Sequence, residues 1–506
     1  MSGWALDGWI DRFERRGGTR EALRVGEHSI DYGTLARSAR AGAAAIPRAG
    51  LVPGDVVAVL APPSAFGVAW VHALFDRGIV LLPLNARLAE AEQQAILQAT
   101  RPRLLIVAGA GAESLGRRLV AGSGTGLGVL GEEASDVDPT PRVGLIEDPG
   151  AATAADRARR AELRSAGVAL LLMTSGTSGQ PKGALLTRAN LFASAEASAA
   201  LLGQSPDDRW LLCMPLFHIG GLSILIRSAL VGASVVLHPD FDAARVARSL
   251  DEQGITRVSF VATMLERVLA VRADRPAPAS LSLVLLGGGP ASADLIRRAI
   301  SLGYPVAPTY GLTEAASQVA TRPPGSEARA LAKEPDEEDP AAGLEPLPGV
   351  ELRIVDARGR RCAVGEEGEI RVRGPIVMAG YLDDPEASER ALDEGWLATG
   401  DIGRLAEDGT LRVLDRRADL IVSGGENVYP AEIESLLESH PDVVEAGVVG
   451  VPDERFGARA VALVVPRADA PVACEALEAL CRAKLAGFKQ PRAILAVASL
   501  PRTATG

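Results

Sequence analysis

Short apolar runs alternate with alanine-rich stretches through the first two thirds of the chain. Val56-Val57-Ala58-Val59-Leu60 reads as a buried strand, and Ala65 to Arg77 as the helix after it. Further strands are expected at residues 79–84, at Leu104 to Val107, and at Val168 to Met173. The pattern then repeats at Trp210 to Met214, Ser234 to Leu237, Val258 to Val261 and Leu281 to Leu286. Each of these runs into a glycine-rich turn or a helix, which predicts an α/β fold with largely parallel sheets. Residues 139–165, rich in Ala, Asp and Arg, show neither period and are expected to form an irregular or mobile connection.

After residue 350 the pattern changes to strands separated by turns, at Glu351 to Val355, Gly368 to Arg373 and Thr410 to Leu414. This predicts a β-rich subdomain closing a large N-terminal domain, residues 1–414. The charged run Asp415-Arg416-Arg417-Ala418-Asp419 then interrupts the apolar pattern, and a hinge is expected at 415–418. Beyond it a helix (430–439), a strand pair (443–449 and 460–465) and a second helix (474–485) predict a small α+β domain over 419–506 with its own core. The acidic, proline-rich stretch 323–340 reads as a solvated surface loop.

At 506 residues, two or more domains are required. The net charge of −11 argues against nucleic acid as a partner, since phosphate binding needs a basic face. No apolar run approaches the roughly 20 residues that cross a bilayer, and the N-terminus lacks a basic region followed by an apolar core. A cytoplasmic protein without membrane insertion is expected; a homodimer stays open. Cys213, Cys362, Cys474 and Cys481 have no metal-ligand spacing and read as ordinary core or surface residues. Lysine occurs only at 182, 333, 484 and 489 against 53 basic residues in all, so each retained lysine draws notice.

The strongest chemical signal runs from Leu170 through Thr174-Ser175-Gly176-Thr177-Ser178-Gly179-Gln180-Pro181-Lys182-Gly183. An apolar strand enters a loop of glycines and hydroxyls that ends in a lysine. Glycines let backbone N–H groups turn towards phosphate, hydroxyls add donors, and the lysine supplies a point charge. A P-loop would carry Gly-Lys followed by Ser or Thr, but here Pro181 precedes and Gly183-Ala184 follow the lysine. Gly287-Gly288-Gly289 closes a strand and admits a flat ring close to the backbone. Tyr310-Gly311-Leu312-Thr313-Glu314 offers an aromatic face, a hydroxyl and a carboxylate able to hold Mg²⁺. Asp401, in Gly395-Trp396-Leu397-Ala398-Thr399-Gly400-Asp401, can accept from a ribose diol. Asp415-Arg416 and Ser423-Gly424-Gly425-Glu426-Asn427 complete the series.

In this order the segments resemble the adenylate-forming superfamily of acyl-CoA synthetases, peptide-synthetase adenylation domains and luciferases, from roughly residue 30 to the end. The resemblance implies a large N-terminal domain, a small mobile C-terminal lid, and two half-reactions. A carboxylate first attacks ATP to give acyl-AMP and pyrophosphate, and a thiol then displaces AMP. It implies ATP, Mg²⁺ and coenzyme A, with Thr174 to Gly179 and Lys182 on the β- and γ-phosphates. Tyr310 and Gly287 to Gly289 would sandwich adenine, with Gly311 also in the ATP site, Thr313 would contact the α-phosphate, Glu314 the metal, and Asp401 with Arg416 the ribose. Lys182, Thr313, Glu314 and His218 would be the catalytic set, with Gly424 and Gly425 lining the pantetheine tunnel. Ser178 stands where threonine is common in the family and Ala418 where many members carry a charged hinge residue.

Arg227 lies inside the apolar run Leu222 to Ala233. A cation there needs a partner: its guanidinium either escapes to a helix edge or pairs with a buried carboxylate of the protein, or it binds a carboxylate on the substrate. A monocarboxylate would spend its only anionic group on ATP, so a dicarboxylic substrate fits better. The segment Met214 to Arg227, with Thr263, Gln318 and Leu414 to Glu434, is most similar to the o-succinylbenzoate–CoA ligases of menaquinone biosynthesis, whose substrate carries two carboxylates. His218, Ser223, Arg227, Thr263 and Gln318 would then line the acyl pocket. The alternatives are a ligase for another aryl or fatty acid, a stand-alone domain loading a carrier protein, and a non-catalytic acyl-adenylate binder. The family places a lysine directly after the motif that ends here at Pro501-Arg502-Thr503-Ala504-Thr505-Gly506. Without that charge, adenylation is expected to slow by roughly 10²–10³ while nucleotide binding and thioester formation persist.

Overall fold

The computed structural model describes residues 8–109, 112–121, 125–130, 143–147, 152–175, 181–289, 291–324, 343–415, 421–467 and 474–500. They form two compact units. The larger comprises residues 1–86, 100–172 and 183–414; the smaller comprises 87–99, 173–182 and 415–506.

In the larger unit the apolar runs form the strands expected of them. One nine-stranded sheet places Val306–Leu312, Leu283–Leu286, Arg257–Phe260, Arg209–Leu212, Ser234–Leu237 and Glu21–Val25 side by side in parallel. Antiparallel strands close both its edges. A second sheet carries Val56–Leu60 between Val80–Pro83 and Leu104–Val107, also in parallel. Strands such as Leu104–Val107 and Ser234–Leu237 are buried at every position, which is why their sequence shows no polar alternation. A third, five-stranded antiparallel sheet includes Glu351–Val355, Gly368–Arg373 and Trp396–Leu405, the β-rich part anticipated after residue 350.

Two helices of this unit lie against each other. Arg188–Leu201 starts at a capping box between Thr187 and Asn190. Ile219–Val231 ends at Gly232, whose φ of 91° is the left-handed stop that glycine permits.

Residues 139–165 depart from expectation: among those described, Val143–Glu147 is a strand and Ala154–Ser165 a helix. Only Leu163 of that helix is buried, so no apolar stripe announces it. It is held by a Thr153–Asp156 capping box and by arginines, with Arg159 donating to the Thr100 carbonyl at 2.7 Å and paired with Asp383. The stretch 323–340 lies outside the described residues from 325 onward, as do hinge residues 416–418.

The smaller unit has a mixed sheet in which Val443–Asp453 and Gly457–Pro466 pair antiparallel and Ile494–Ala496 adds in parallel. Helices Pro430–Glu438 and Cys474–Lys484 accompany it, burying Ile433, Leu437, Leu477 and Cys481 in one core with Ala462 and Val464. The chain is thus α/β, with a large N-terminal body and a small α+β C-terminal unit. Lys489 is buried here, its Nζ donating to Glu432 and Glu92 at 2.7 Å each. All four cysteines are free, and no described helix is long and apolar enough to cross a membrane.

Candidate active site

The helix Ile219–Val231 begins against its own entry turn. A Cβ on Gly221 would lie 2.2 Å from the Pro215 carbonyl oxygen, so only glycine lets the helix start so close. His218 occupies the N-cap position with extended backbone, its ring 4.8 Å from that of Phe217. Ser223 donates to the Gly220 carbonyl at 3.0 Å. Thr263, half-buried, opens the helix Ala262–Val271 that follows the strand Arg257–Phe260.

One turn beyond Ser223, Arg227 is 1 % exposed. Its guanidinium stacks 5.0 Å above the Trp210 ring. Nη1 donates to Gln318 Oε1 at 2.7 Å and to Ser198 Oγ at 3.3 Å. Nε and Nη2 are out of water and donate to nothing among the described residues. The sequence allowed escape to a helix edge, a protein carboxylate or a substrate carboxylate; the guanidinium is buried, and the protein supplies an amide, a hydroxyl and an aromatic face instead of a carboxylate. Burial, and secondarily the nearby Arg257, pull the Arg227 pKa down to about 9. Gln318, 2 % exposed, is therefore engaged with the protein at both ends of its amide, since Nε2 donates to Thr321 Oγ1 at 2.8 Å.

The strand Val306–Leu312 turns back into Ser317–Thr321 as an antiparallel hairpin with an irregularity between Tyr310 and Gly311. Tyr310 is buried and donates to Asp401 Oδ2 at 2.6 Å. A Cβ on Gly311 would fall 1.8 Å from the Ser317 carbonyl oxygen. Gly287, opposite Thr309, is equally confined: a Cβ would sit 2.6 Å from the Thr309 methyl. Gly288 has a φ of 80° and Gly289 is half-buried.

Thr313 and Glu314 lie on the tight 3₁₀ turn Thr313–Ala315. The two residues after it, Ala316 and Ser317, have φ of 51° and 103°, unusual for side chains with a Cβ. Helix Arg188–Leu201 reaches this turn through Ser194, whose Oγ donates to the Ala316 carbonyl at 2.7 Å. Tyr381 donates its phenol proton to Glu314 Oε1 at 2.9 Å, and the Met378 N–H donates to the Glu314 carbonyl at 2.8 Å. The larger unit therefore gathers Tyr310, Asp401, Thr313 and Glu314 around one hairpin, with Gly287 packed against its first strand.

In the smaller unit, Thr174 Oγ1 donates to the Lys182 carbonyl at 3.3 Å across the mouth of the glycine-hydroxyl loop. Gly176, Thr177, Ser178, Gly179 and Arg416 lie outside the described residues, as do residues 501–506, and the Ser175 side chain is likewise undescribed. Gly424 and Gly425 have φ of 60° and 87°, and the Gly424 N–H donates to the Phe456 carbonyl at 2.7 Å.

Sequence reading missed Trp210, Ser194, Ser198 and Tyr381. None sits in a recognisable motif with its partner: Ser194 and Ala316 are 122 residues apart, and Tyr381 and Glu314 are 67 apart.

Residues 10–382 match the AMP-binding enzyme family, and residues 432–506 match the AMP-binding enzyme C-terminal domain. The 2-succinylbenzoate–CoA ligase of Bacillus licheniformis is 39% identical over 497 residues, covering 98% of this chain and 97% of that protein. Among solved structures, a double mutant of o-succinylbenzoate CoA synthetase from Bacillus subtilis, bound with its product analogue OSB-NCoA, superposes with a TM-score of 0.84. It shares 34% identity and covers 99% of this chain and 96% of that one. The Bacillus subtilis enzyme in complex with ATP and magnesium ion gives a TM-score of 0.68 at 33% identity, over 98% and 97% of the two chains.

Proposed function

This chain belongs to the AMP-binding enzyme family and is an AMP-forming acid–CoA ligase; on that footing we propose that it converts o-succinylbenzoate, ATP and coenzyme A into o-succinylbenzoyl-CoA, AMP and pyrophosphate. The observation that carries the choice of acid is Arg227: a buried guanidinium whose Nε and Nη2 lack any partner among the described residues. Burying such a charge without an anion is costly. A substrate that brings a second carboxylate removes that cost. The name of the Bacillus licheniformis relative supports the same acid.

In the first step one substrate carboxylate oxygen attacks the α-phosphorus of ATP, and the bond from that phosphorus to the pyrophosphate oxygen breaks. Thr313 contacts the α-phosphate, and the loop from Thr174 to Lys182 cradles the β- and γ-phosphates. Tyr310 and Gly287 to Gly289 enclose adenine, Asp401 and Arg416 take the ribose hydroxyls, and Tyr310 fixes Asp401 through its phenol. Glu314 offers the hard oxygen donor that Mg²⁺ accepts alongside phosphate oxygens; when bound, the ion neutralises charge on the phosphates. In the second step the coenzyme A sulfur attacks the acyl carbon of acyl-AMP, the acyl–oxygen bond breaks with AMP as leaving group, and the thiol proton is lost to solvent. His218, Ser223 and Thr263 line the acyl pocket, and Gly424 and Gly425 the thiol's approach. ATP and coenzyme A as substrates are in keeping with a cytoplasmic location.

The deciding experiment measures thioester formation from o-succinylbenzoate beside benzoate, 4-coumarate and octanoate, in the wild type and in Arg227→Ala. Turnover of o-succinylbenzoate that collapses in the variant supports the assignment. Preferred turnover of a monocarboxylate overturns it.

A further inference from the structure

Gln318 has a hydrogen-bonding pattern that only one orientation of its amide can satisfy. Oε1 accepts from Ser198 Oγ at 2.6 Å and from Arg227 Nη1 at 2.7 Å. Nε2 donates to Thr321 Oγ1 at 2.8 Å and approaches Thr309 Oγ1 at 3.4 Å, and those two hydroxyls are themselves 2.6 Å apart. Reversing the amide would set N–H donors against the arginine's own N–H groups. The amide is thus locked from the hairpin side, and it locks one end of the guanidinium. Trp210 supports the flat face of the same group at 5.0 Å.

The chemistry of position 318 is what makes this consequential. A glutamate is nearly isosteric with glutamine and would stand at the same distance from Arg227, forming a buried, charge-assisted pair. Glutamine supplies the oxygen without the charge. The guanidinium is held in place yet keeps its positive charge uncompensated.

We propose that Gln318 is a positioning residue that sets the choice between dicarboxylic and monocarboxylic acids: its neutral amide orients Arg227 while leaving the cation for a carboxylate brought by the substrate. This rests on Arg227 being the partner of the substrate's second carboxylate, and deepens that reading. Gln318 itself contacts the protein, and substrate selectivity depends on its neutrality.

The test compares o-succinylbenzoate with two analogues that each lack one of its carboxylates, 4-oxo-4-phenylbutanoate and 2-butanoylbenzoate, in wild type, Gln318→Glu, Gln318→Met and Arg227→Leu. In Gln318→Glu the internal carboxylate takes the substrate's place. The kcat/KM preference for o-succinylbenzoate over the better analogue is expected to narrow at least about tenfold, chiefly through KM, while KM for ATP stays within about twofold. In Gln318→Met the anchor is lost without adding charge, so KM for o-succinylbenzoate rises about three- to tenfold with little change in kcat. An unchanged preference in a Gln318→Glu protein that retains its ATP affinity overturns the proposal, as does a Gln318→Met enzyme with wild-type KM for the diacid. Should Gln318→Glu fail to fold, the Gln318→Met result decides alone. If Arg227→Leu keeps the full preference, the reading of Arg227 is what fails. If Arg227→Leu abolishes the preference and the Gln318 variants do not alter it, only the role given to Gln318 fails.

Discussion

The phenol of Tyr310 donates to Asp401 Oδ2 at 2.6 Å, across 91 residues of sequence, with both side chains almost out of solvent. A hydrogen bond to a carboxylate in such a setting contributes about 1.5–3 kcal/mol. It also fixes which way Asp401 presents its other oxygen. With Asp401 on the ribose, Tyr310→Phe should keep the ring in place but release the carboxylate. KM for ATP is then expected to rise about five- to thirtyfold with KM for the acid nearly constant. Steady-state kinetics in which both constants move together would contradict this division of labour.

Glu314 is held by Tyr381 in the same manner, at 2.9 Å. Removing the phenol leaves the carboxylate intact but less well aimed. Tyr381→Phe should raise the Mg²⁺ concentration needed for half-maximal MgATP binding by about three- to tenfold, and Glu314→Gln should raise it further. Titration of binding with a fluorescent ATP analogue at varied Mg²⁺ separates the two. An effect of Glu314→Gln with none from Tyr381→Phe would show that the phenol does not orient the carboxylate.

Gly311 admits no side chain. A Cβ there would lie 1.8 Å from a backbone oxygen, which has no flexible end to move aside. Gly311→Ala should force the Tyr310–Ser317 hairpin apart, costing upwards of about 4 kcal/mol. Gly203 makes a useful contrast: its φ is 60° but nothing lies within 4 Å of the added atom. Gly203→Ala should cost only about 1 kcal/mol from backbone strain. Denaturant unfolding of the two variants measures the difference, and equal losses would refute the steric argument.

His72 makes stability sensitive to acid. Its Nδ1 accepts from Trp9 Nε1 at 2.9 Å, and burial lowers its pKa from 6.5 to about 4. An unfolded chain protonates this ring near pH 6.5, whereas the native one resists until about pH 4. Between those values the unfolded state binds the extra proton, so stability falls on acidification through that window by up to about 3 kcal/mol and is level above it. His238, also lowered to about 4 chiefly by burial, acts in the same direction. Urea midpoints from pH 4.5 to 7.5 should show a shallower acid limb in His72→Gln than in wild type. Identical limbs would remove His72 from the account.

The class of fold and the ordered nucleotide motifs were legible in the order of residues alone. Strands such as Val56–Leu60 and Leu104–Val107 lie where uninterrupted apolar runs placed them, because a strand covered on both faces favours apolar residues at every position. The helix Ala154–Ser165 was illegible for the opposite reason: it buries one leucine and depends on a cap and on arginine contacts with distant residues. The oddity of Arg227 was visible as a charge within an apolar run, but its partners were not. Gln318 and Trp210 lie 91 and 17 residues away from it on non-neighbouring strands of one sheet, and only the packing of the Ile219–Val231 helix against that sheet brings both to the guanidinium. Covalent neighbours can suggest that a buried charge needs an answer. Which groups answer it is decided by packing, since hydrogen bonds and ion pairs act over a few ångströms of space and are blind to distance along the chain.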